Sequence, residues 1–164
     1  MNDRVFISGP ALSVLLRKGH SSDPWHGPAT IDLLNDLPFT AAAARPIPDG
    51  HSIWEIVLHM TAWQREVIRR LGGAEPQAPE DGDWPIPPPP GQGAWDRARA
   101  ELDESLEQLA ATVSALSDED LRKQVGPVRD PALGSGTTRA EMVAGVLQHN
   151  AYHSGQIALL RKAI

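Results

Sequence analysis

The chain has 164 residues, a formal net charge of −6 and no cysteine, and this length predicts one domain over residues 1–164 with a single core. The acidic balance argues against nucleic acid or an anionic membrane as a partner, because both require a basic patch. The lack of cysteine excludes disulfides, thiolate metal sites and a cysteine nucleophile, so any bound metal must use His, Asp or Glu.

The opening segment does not have the pattern of a secretory signal. Asp3 lies near its start, Gly9 and Pro10 interrupt its short apolar run, and no run in the chain is long enough to span a bilayer. We therefore expect a cytoplasmic protein. After the opening residues, the pattern predicts two short helices over residues 11–18 and 29–35, on either side of a turn-rich loop.

A long amphipathic helix is predicted over Ile53–Leu71. Ser52 and Glu55 fit a capping box, and the pair Gly72 and Gly73 favours a helix end. Apolar residues recur at intervals of three and four: Ile53, Ile56, Val57, Met60, Trp63, Val67 and Leu71. The opposite face is expected to be polar and carries Gln64, Arg65, Arg69 and Arg70.

Residues 74–93 contain the run PIPPPP and are not predicted to be helical, because proline lacks the amide donor. We expect an exposed crossing loop here; a docking ligand for an aromatic groove is the alternative. A helix is predicted over residues 94–116, followed by a short turn capped by Ser117. After a loop rich in glycine and proline, a second capping box at Thr138 begins the last helix, over Arg139–Lys162.

Three long helices and a broken N-terminal one predict an all-α fold. The architecture that accommodates them is an up-and-down four-helix bundle with a long proline-rich crossing loop between helices 2 and 3. No segment is predicted to form a strand.

Three of the six histidines lie within the predicted long helices and point inward. His149 and His153 are one turn apart on the last helix, a spacing that lets two imidazoles bind one ion. His59 lies on the apolar face of the capped helix. Because bundle cores build metal sites from facing helices, these three residues predict a divalent-metal site, with hydrogen-bonded core histidines as the alternative.

The side chains around this triad permit two interpretations. Gln156, Tyr152 or Asn150 would orient an imidazole or a substrate, or would be ordinary helix residues. Glu55 is not needed at the metal site to explain its position, because its carboxylate is expected to cap the helix at Ser52. The remaining histidines, His20, His26 and His51, are expected in solvated loops or at a cap. The tryptophans Trp25, Trp54 and Trp63 are expected in the core or in a pocket wall. Of these, His26 beside Trp25 is the candidate for a pocket mouth.

The runs SIWEIVLHMTAWQREVIRR (52–70) and QHNAYHSGQIALLRK (148–162) resemble the DinB/YfiT-like superfamily of damage-inducible-type four-helix metalloproteins. The resemblance covers nearly the whole chain and is most specific in the final HxxxHxGQI. It implies that His59, His149 and His153 bind one divalent metal ion, nickel or zinc first and iron or manganese next. Homodimers are common in this superfamily, so a homodimer is expected.

The resemblance also suggests an activity, although it assigns no catalytic residue. Members include thiol-dependent S-transferases that use bacillithiol or mycothiol, and a mycothiol-dependent isomerase. The resemblance therefore implies a metal-dependent enzyme in which the ion activates a low-molecular-weight thiol, or water, for attack on a small electrophile. Three nitrogen ligands leave a coordination position open, as in catalytic sites. A non-catalytic binding or stress-response module stabilised by its metal is the alternative, and the acidic charge disfavours a DNA-associated role.

Overall fold

The computed structural model describes residues 7–164, so the interpretation of the opening segment around Asp3 lies outside the described residues. The described chain is mostly helical, with one small sheet. Its elements are α1 (Gly9–Ser21), α2 (Thr30–Leu34), α3 (Phe39–Ala42), α4 (Ile53–Leu71), α5 (Gln92–Ser114), α6 (Asp118–Arg122), β1 (Gln124–Asp130), β2 (Ser135–Thr138) and α7 (Arg139–Lys162). In the part of the chain that is described, no helix is both long and apolar enough to cross a membrane.

The two best-marked helices begin where their capping boxes predict. In α4 the Ser52 hydroxyl accepts from the Glu55 N–H at 3.2 Å, and the Glu55 carboxylate accepts from the Ser52 N–H at 2.8 Å. Thr138 and Glu141 form the same pair of bonds at the start of α7. The bounds predicted for both helices are therefore confirmed, whereas α1 is longer than predicted and α3 was not predicted.

The long helices pack as a helical bundle. Helix α4 packs against α5 and α7, and α1 packs against the same two helices. Trp54 and Trp95 meet in one buried apolar cluster with ring centroids 5.5 Å apart, and Trp95 donates its indole N–H to the Leu37 carbonyl at 2.8 Å. The second cluster joins α1, α5 and α7 around Leu16, Leu109 and Val143.

The expectation that no segment forms a strand is wrong. Strands β1 and β2 pair as an antiparallel hairpin, with Val125 opposite Thr137 and Asp130 opposite Ser135. Most of β1 is exposed, so it lacks the alternation of apolar and polar residues by which a strand is recognised. The two strands are joined by a short turn, and the glycine and proline content of this segment does not indicate which of its residues pair.

The polar face predicted for α4 is only partly exposed. Gln64 is buried and accepts a hydrogen bond from the Ser105 hydroxyl at 2.6 Å. Arg70 is also buried, and its Nε donates to the buried Glu66 carboxylate at 2.6 Å. Because neighbouring elements cover α4 on more than one side, burial extends beyond its apolar face. Gln64 Oε1 and the Arg70 guanidinium have partners there, whereas Gln64 Nε2 has none.

Candidate metal centre

The structure brings His59, His149 and His153 together between α4 and α7. One ring nitrogen from each lies within 4.8 Å of the other two, and the Nε2 atoms of His59 and His149 are 2.9 Å apart. His59 and His153 are buried, while His149 is half-buried. These are the three residues that the sequence singled out, and one nitrogen of each lies near the other two.

The donor set fits a transition-metal ion. Two nitrogens bound at about 2.0 to 2.1 Å to one ion lie about 3 Å apart when they subtend a right angle, and the His59–His149 separation has this size. Imidazole suits zinc, nickel, copper and iron, and no thiolate is present to select among them. The site therefore has the chemistry to hold one divalent ion on three neutral nitrogens.

Burial keeps these imidazoles in the form that binds metal. Desolvation, followed by the neighbouring imidazoles, lowers the pKa of His149 to about 4. Desolvation likewise lowers the pKa of His153 to about 4, against a raising effect from Gln156. The pKa of His59 is lowered by the same burial, although the Asp83 carbonyl and carboxylate oppose the shift. At neutral pH His149 and His153 are therefore uncharged, and burial favours the uncharged form of His59 as well.

Two of the three rings are oriented by hydrogen bonds from their second nitrogen. His59 Nδ1 donates to the backbone carbonyl of Asp83 at 2.5 Å, and His153 Nδ1 donates to Gln156 Oε1 at 2.6 Å. Gln156 is held in turn by a bond from its amide to the Tyr152 hydroxyl at 3.1 Å. With protons on Nδ1, both Nε2 lone pairs are free to bind metal.

Asp83 and Trp84 come to the site from the proline-rich loop, and sequence reasoning missed both. The Asp83 carboxylate accepts the Trp63 indole N–H at 2.7 Å. Trp84 stacks on His59 with centroids 3.9 Å apart and on His51 with centroids 3.5 Å apart. The loop was expected to be exposed, but Trp84 is only half-exposed. The sequence signal for a role at the site was an acidic and an aromatic residue side by side in a segment rich in proline.

Four of the other singled-out residues lie away from the histidine cluster: His20, His26, Trp25 and Trp54. The expectation that His20 is solvated is wrong: it is buried at the end of α1, with Nε2 2.6 Å from the Asp103 carboxylate. His26 and Trp25 are exposed and line a cavity of about 790 Å³, whose wall also includes Asn150. Asn150 follows His149 in the chain, and its side chain also interacts with the His149 ring. Trp54 belongs to the core.

A second cavity, of about 420 Å³, reaches the site at His149. Trp63 of α4 forms one side, and the tip of the hairpin forms the other. The remaining wall is mainly apolar and includes Val67, Met142 and Val146. A small molecule in this cavity would approach the histidine cluster from the side where its least buried member lies.

Comparison with known protein families gives a match over most of the chain. A family model described as the DinB superfamily matches residues 25–157. The matched region contains the three clustered histidines together with Asp83, Trp84 and the hairpin. No curated protein and no solved structure was found to match the chain.

Proposed function

The chain belongs to the DinB superfamily, and on that basis we propose that it binds one divalent metal ion through His59, His149 and His153. Nickel and zinc are the first candidates, since three neutral imidazoles suit both. The observation that carries the proposal is the convergence of three neutral ring nitrogens within 4.8 Å. The proposal includes an up-and-down order of the four long helices, a homodimer and a cytoplasmic location.

The proposed activity is metal-dependent transfer of a low-molecular-weight thiol, or of water, to a small electrophile. When bound, such an ion stabilises the thiol or water as its anion near neutral pH. The thiol proton leaves to solvent, the sulfur forms a bond to the electrophilic carbon, and the leaving group departs with the electron pair of the broken bond. This sequence conserves atoms and charge and requires no oxidant.

The chain's own residues would position this reaction. The Asp83 carbonyl and Gln156 fix the rings of His59 and His153, so that the donor atoms keep their direction. Trp84 covers the His59 ring. The cavity beside His149 would receive the electrophile, and its apolar side chains would exclude water from the reacting atoms.

A non-catalytic, metal-stabilised module is the second candidate. The histidines come from α4 and α7, so an ion would link these helices and contribute folding free energy. The burial of His59 and His153 favours this candidate. The cavity at His149 favours the enzyme, because a purely structural ion does not require an adjoining space.

Elemental analysis of the purified protein tests the site. We expect about one metal equivalent per chain, and loss of that metal in His149→Ala. His26→Ala is the matched control, because His26 is exposed and lies outside the cluster. Absence of metal after reconstitution, or full retention in His149→Ala, would contradict the proposed site.

Nickel- and zinc-loaded protein is then assayed with small thiols and 1-chloro-2,4-dinitrobenzene. Metal-dependent transfer that is lost in His149→Ala supports the enzyme. Full activity in metal-free protein contradicts it. An ion that raises the melting temperature without producing transfer with any thiol supports the non-catalytic module instead.

A further inference from the structure

The cavity beside His149 has a charged residue at its hairpin side, and we infer that it binds a small molecule whose carboxylate is held by Arg129 and whose apolar part faces the histidine cluster. This inference rests on the proposed function, for which it specifies the substrate class. Its evidence is the arrangement of the cavity wall.

The wall combines a hydrophobic surface with few polar groups, as ligand sites do. Val67, Met142 and Val146 present buried apolar side chains from α4 and α7. Leu133, at the tip of the hairpin, faces them. With a volume of about 420 Å³, the cavity is large enough for a small organic acid.

Three charged residues line this cavity, and two are already engaged. Arg70 donates to the Glu66 carboxylate and to the carbonyls of Leu133 and Gln77. Glu141 accepts the Thr138 N–H at 2.7 Å in the capping box, where the N-terminus of α7 stabilises its negative charge. The third charged residue, Arg129, is therefore the group in position to determine which ligand charge is favoured.

Arg129 is exposed, but its side chain is held in place. One of its terminal nitrogens, Nη1, donates to the Ser135 carbonyl at 2.9 Å, and the Ser135 hydroxyl donates to the Val128 carbonyl at 2.9 Å. Within residues 7–164, the part of the chain that the structure describes, Arg129 forms no salt bridge. A guanidinium has five N–H donors, and those not used in the bond to Ser135 remain to bind a carboxylate. The two oxygens of a carboxylate match the fork of the guanidinium.

The hairpin fixes where Arg129 lies. Gly136 has a φ of +73°, and a Cβ atom there would lie 2.5 Å from the Arg129 Cα, so the two strands approach too closely for any other residue. This close approach sets the Arg129 backbone beside the cavity. Arginine and histidine thus line one space, and a carboxylate at Arg129 would leave the rest of the ligand directed towards His149.

The test compares hexanoate with hexanamide, which differ in charge but have the same chain length. Binding to metal-loaded protein is measured by ligand-observed NMR, for the wild type, Arg129→Gln and Arg129→Lys. We expect hexanoate to bind more tightly than hexanamide. Arg129→Gln should weaken hexanoate about tenfold and leave hexanamide unchanged. Arg129→Lys should recover part of the loss, and Arg97→Gln, at an exposed position on α5, should have no effect.

Equal binding of the two probes, or equal hexanoate binding by wild type and Arg129→Gln, would overturn the inference. Repeating the titration with metal-free His149→Ala separates it from the proposed function. Arg129-dependent binding that persists there establishes the carboxylate site even if no transfer activity exists. Binding that requires the metal but is independent of Arg129 would assign the carboxylate to the ion and contradict the inference.

Discussion

Trp84 lies face to face with His59, with ring centroids 3.9 Å apart and planes 11° from parallel. The indole comes from the connection between α4 and α5, and the imidazole from the middle of α4. The adjacent Asp83 carbonyl accepts the His59 Nδ1 proton. Two neighbouring loop residues therefore control both the orientation and the solvent exposure of one proposed ligand.

This contact predicts that Trp84→Ala weakens metal binding. Without the indole, His59 gains solvent and rotational freedom, and we expect about a tenfold loss of affinity, in the range seen for groups surrounding metal ligands. Competition with a chromophoric chelator measures it. Trp84→Phe retains a planar ring and should lose less, while Trp25→Ala, at an exposed position outside the cluster, should lose nothing. Unchanged affinity in Trp84→Ala would rule out this role.

The bond between Gln156 and His153 predicts a similar effect. Gln156→Ala removes the acceptor of the His153 Nδ1 proton, and we expect metal affinity to fall about 10- to 100-fold. Gln156→Glu keeps an acceptor oxygen and should restore most of the affinity. Gln148→Ala is the control, since Gln148 is exposed on the same helix. If Gln156→Ala and Gln148→Ala bind metal equally well, the bond does not position the ligand.

Glu66 predicts a specific dependence of stability on pH. Desolvation alone would raise its pKa, but hydrogen bonds from Arg69, Arg70 and the Gln77 N–H outweigh it and lower the pKa below the ordinary 4.5. Because the folded state has the lower pKa, Glu66 contributes stability above pH 4.5, and the contribution is lost as the pH falls from there through the folded pKa.

Chemical denaturation across this pH range compares the wild type with Glu66→Gln. At neutral pH we expect the variant to lose about 3 kcal/mol, since Arg70 remains buried without its counter-charge. Below pH 4.5 its unfolding free energy should fall less steeply than that of the wild type. Glu101→Gln, which breaks an exposed pair with Arg65, should retain the wild-type slope. Identical slopes in all three proteins would refute the assignment.

Two glycines, Gly136 in the hairpin and Gly155 in α7, are expected to respond in opposite ways to substitution by alanine. Gly136→Ala places a Cβ against the Arg129 backbone at positive φ, and we expect it to lower the unfolding free energy by about 1 to 3 kcal/mol. Gly155→Ala adds a methyl group to α7 in open space and should raise it by up to about 1 kcal/mol. Thermal unfolding measures both. A neutral Gly136→Ala would mean that the close approach of the strands is not maintained.

The sequence by itself determined the features that depend on neighbouring residues. Capping boxes at Ser52 and Thr138 fixed the starts of the two helices that carry the histidines, because the caps satisfy N–H groups within the same turn. The four-residue spacing of His149 and His153 placed both on one helix face. The match over residues 25–157 bears out the superfamily that these runs indicated.

Only the tertiary structure decided which distant residues meet. Asp83 contacts His59 although the two residues are 24 positions apart in the chain, because the segment after α4 folds back over that helix. The next residue, Trp84, stacks on the same ring for the same reason. The burial of His20 against Asp103 depends equally on a contact between distant segments of the chain. Local sequence limits backbone conformation over a few residues, whereas these contacts arise only when packed helices bring separate segments of the chain together.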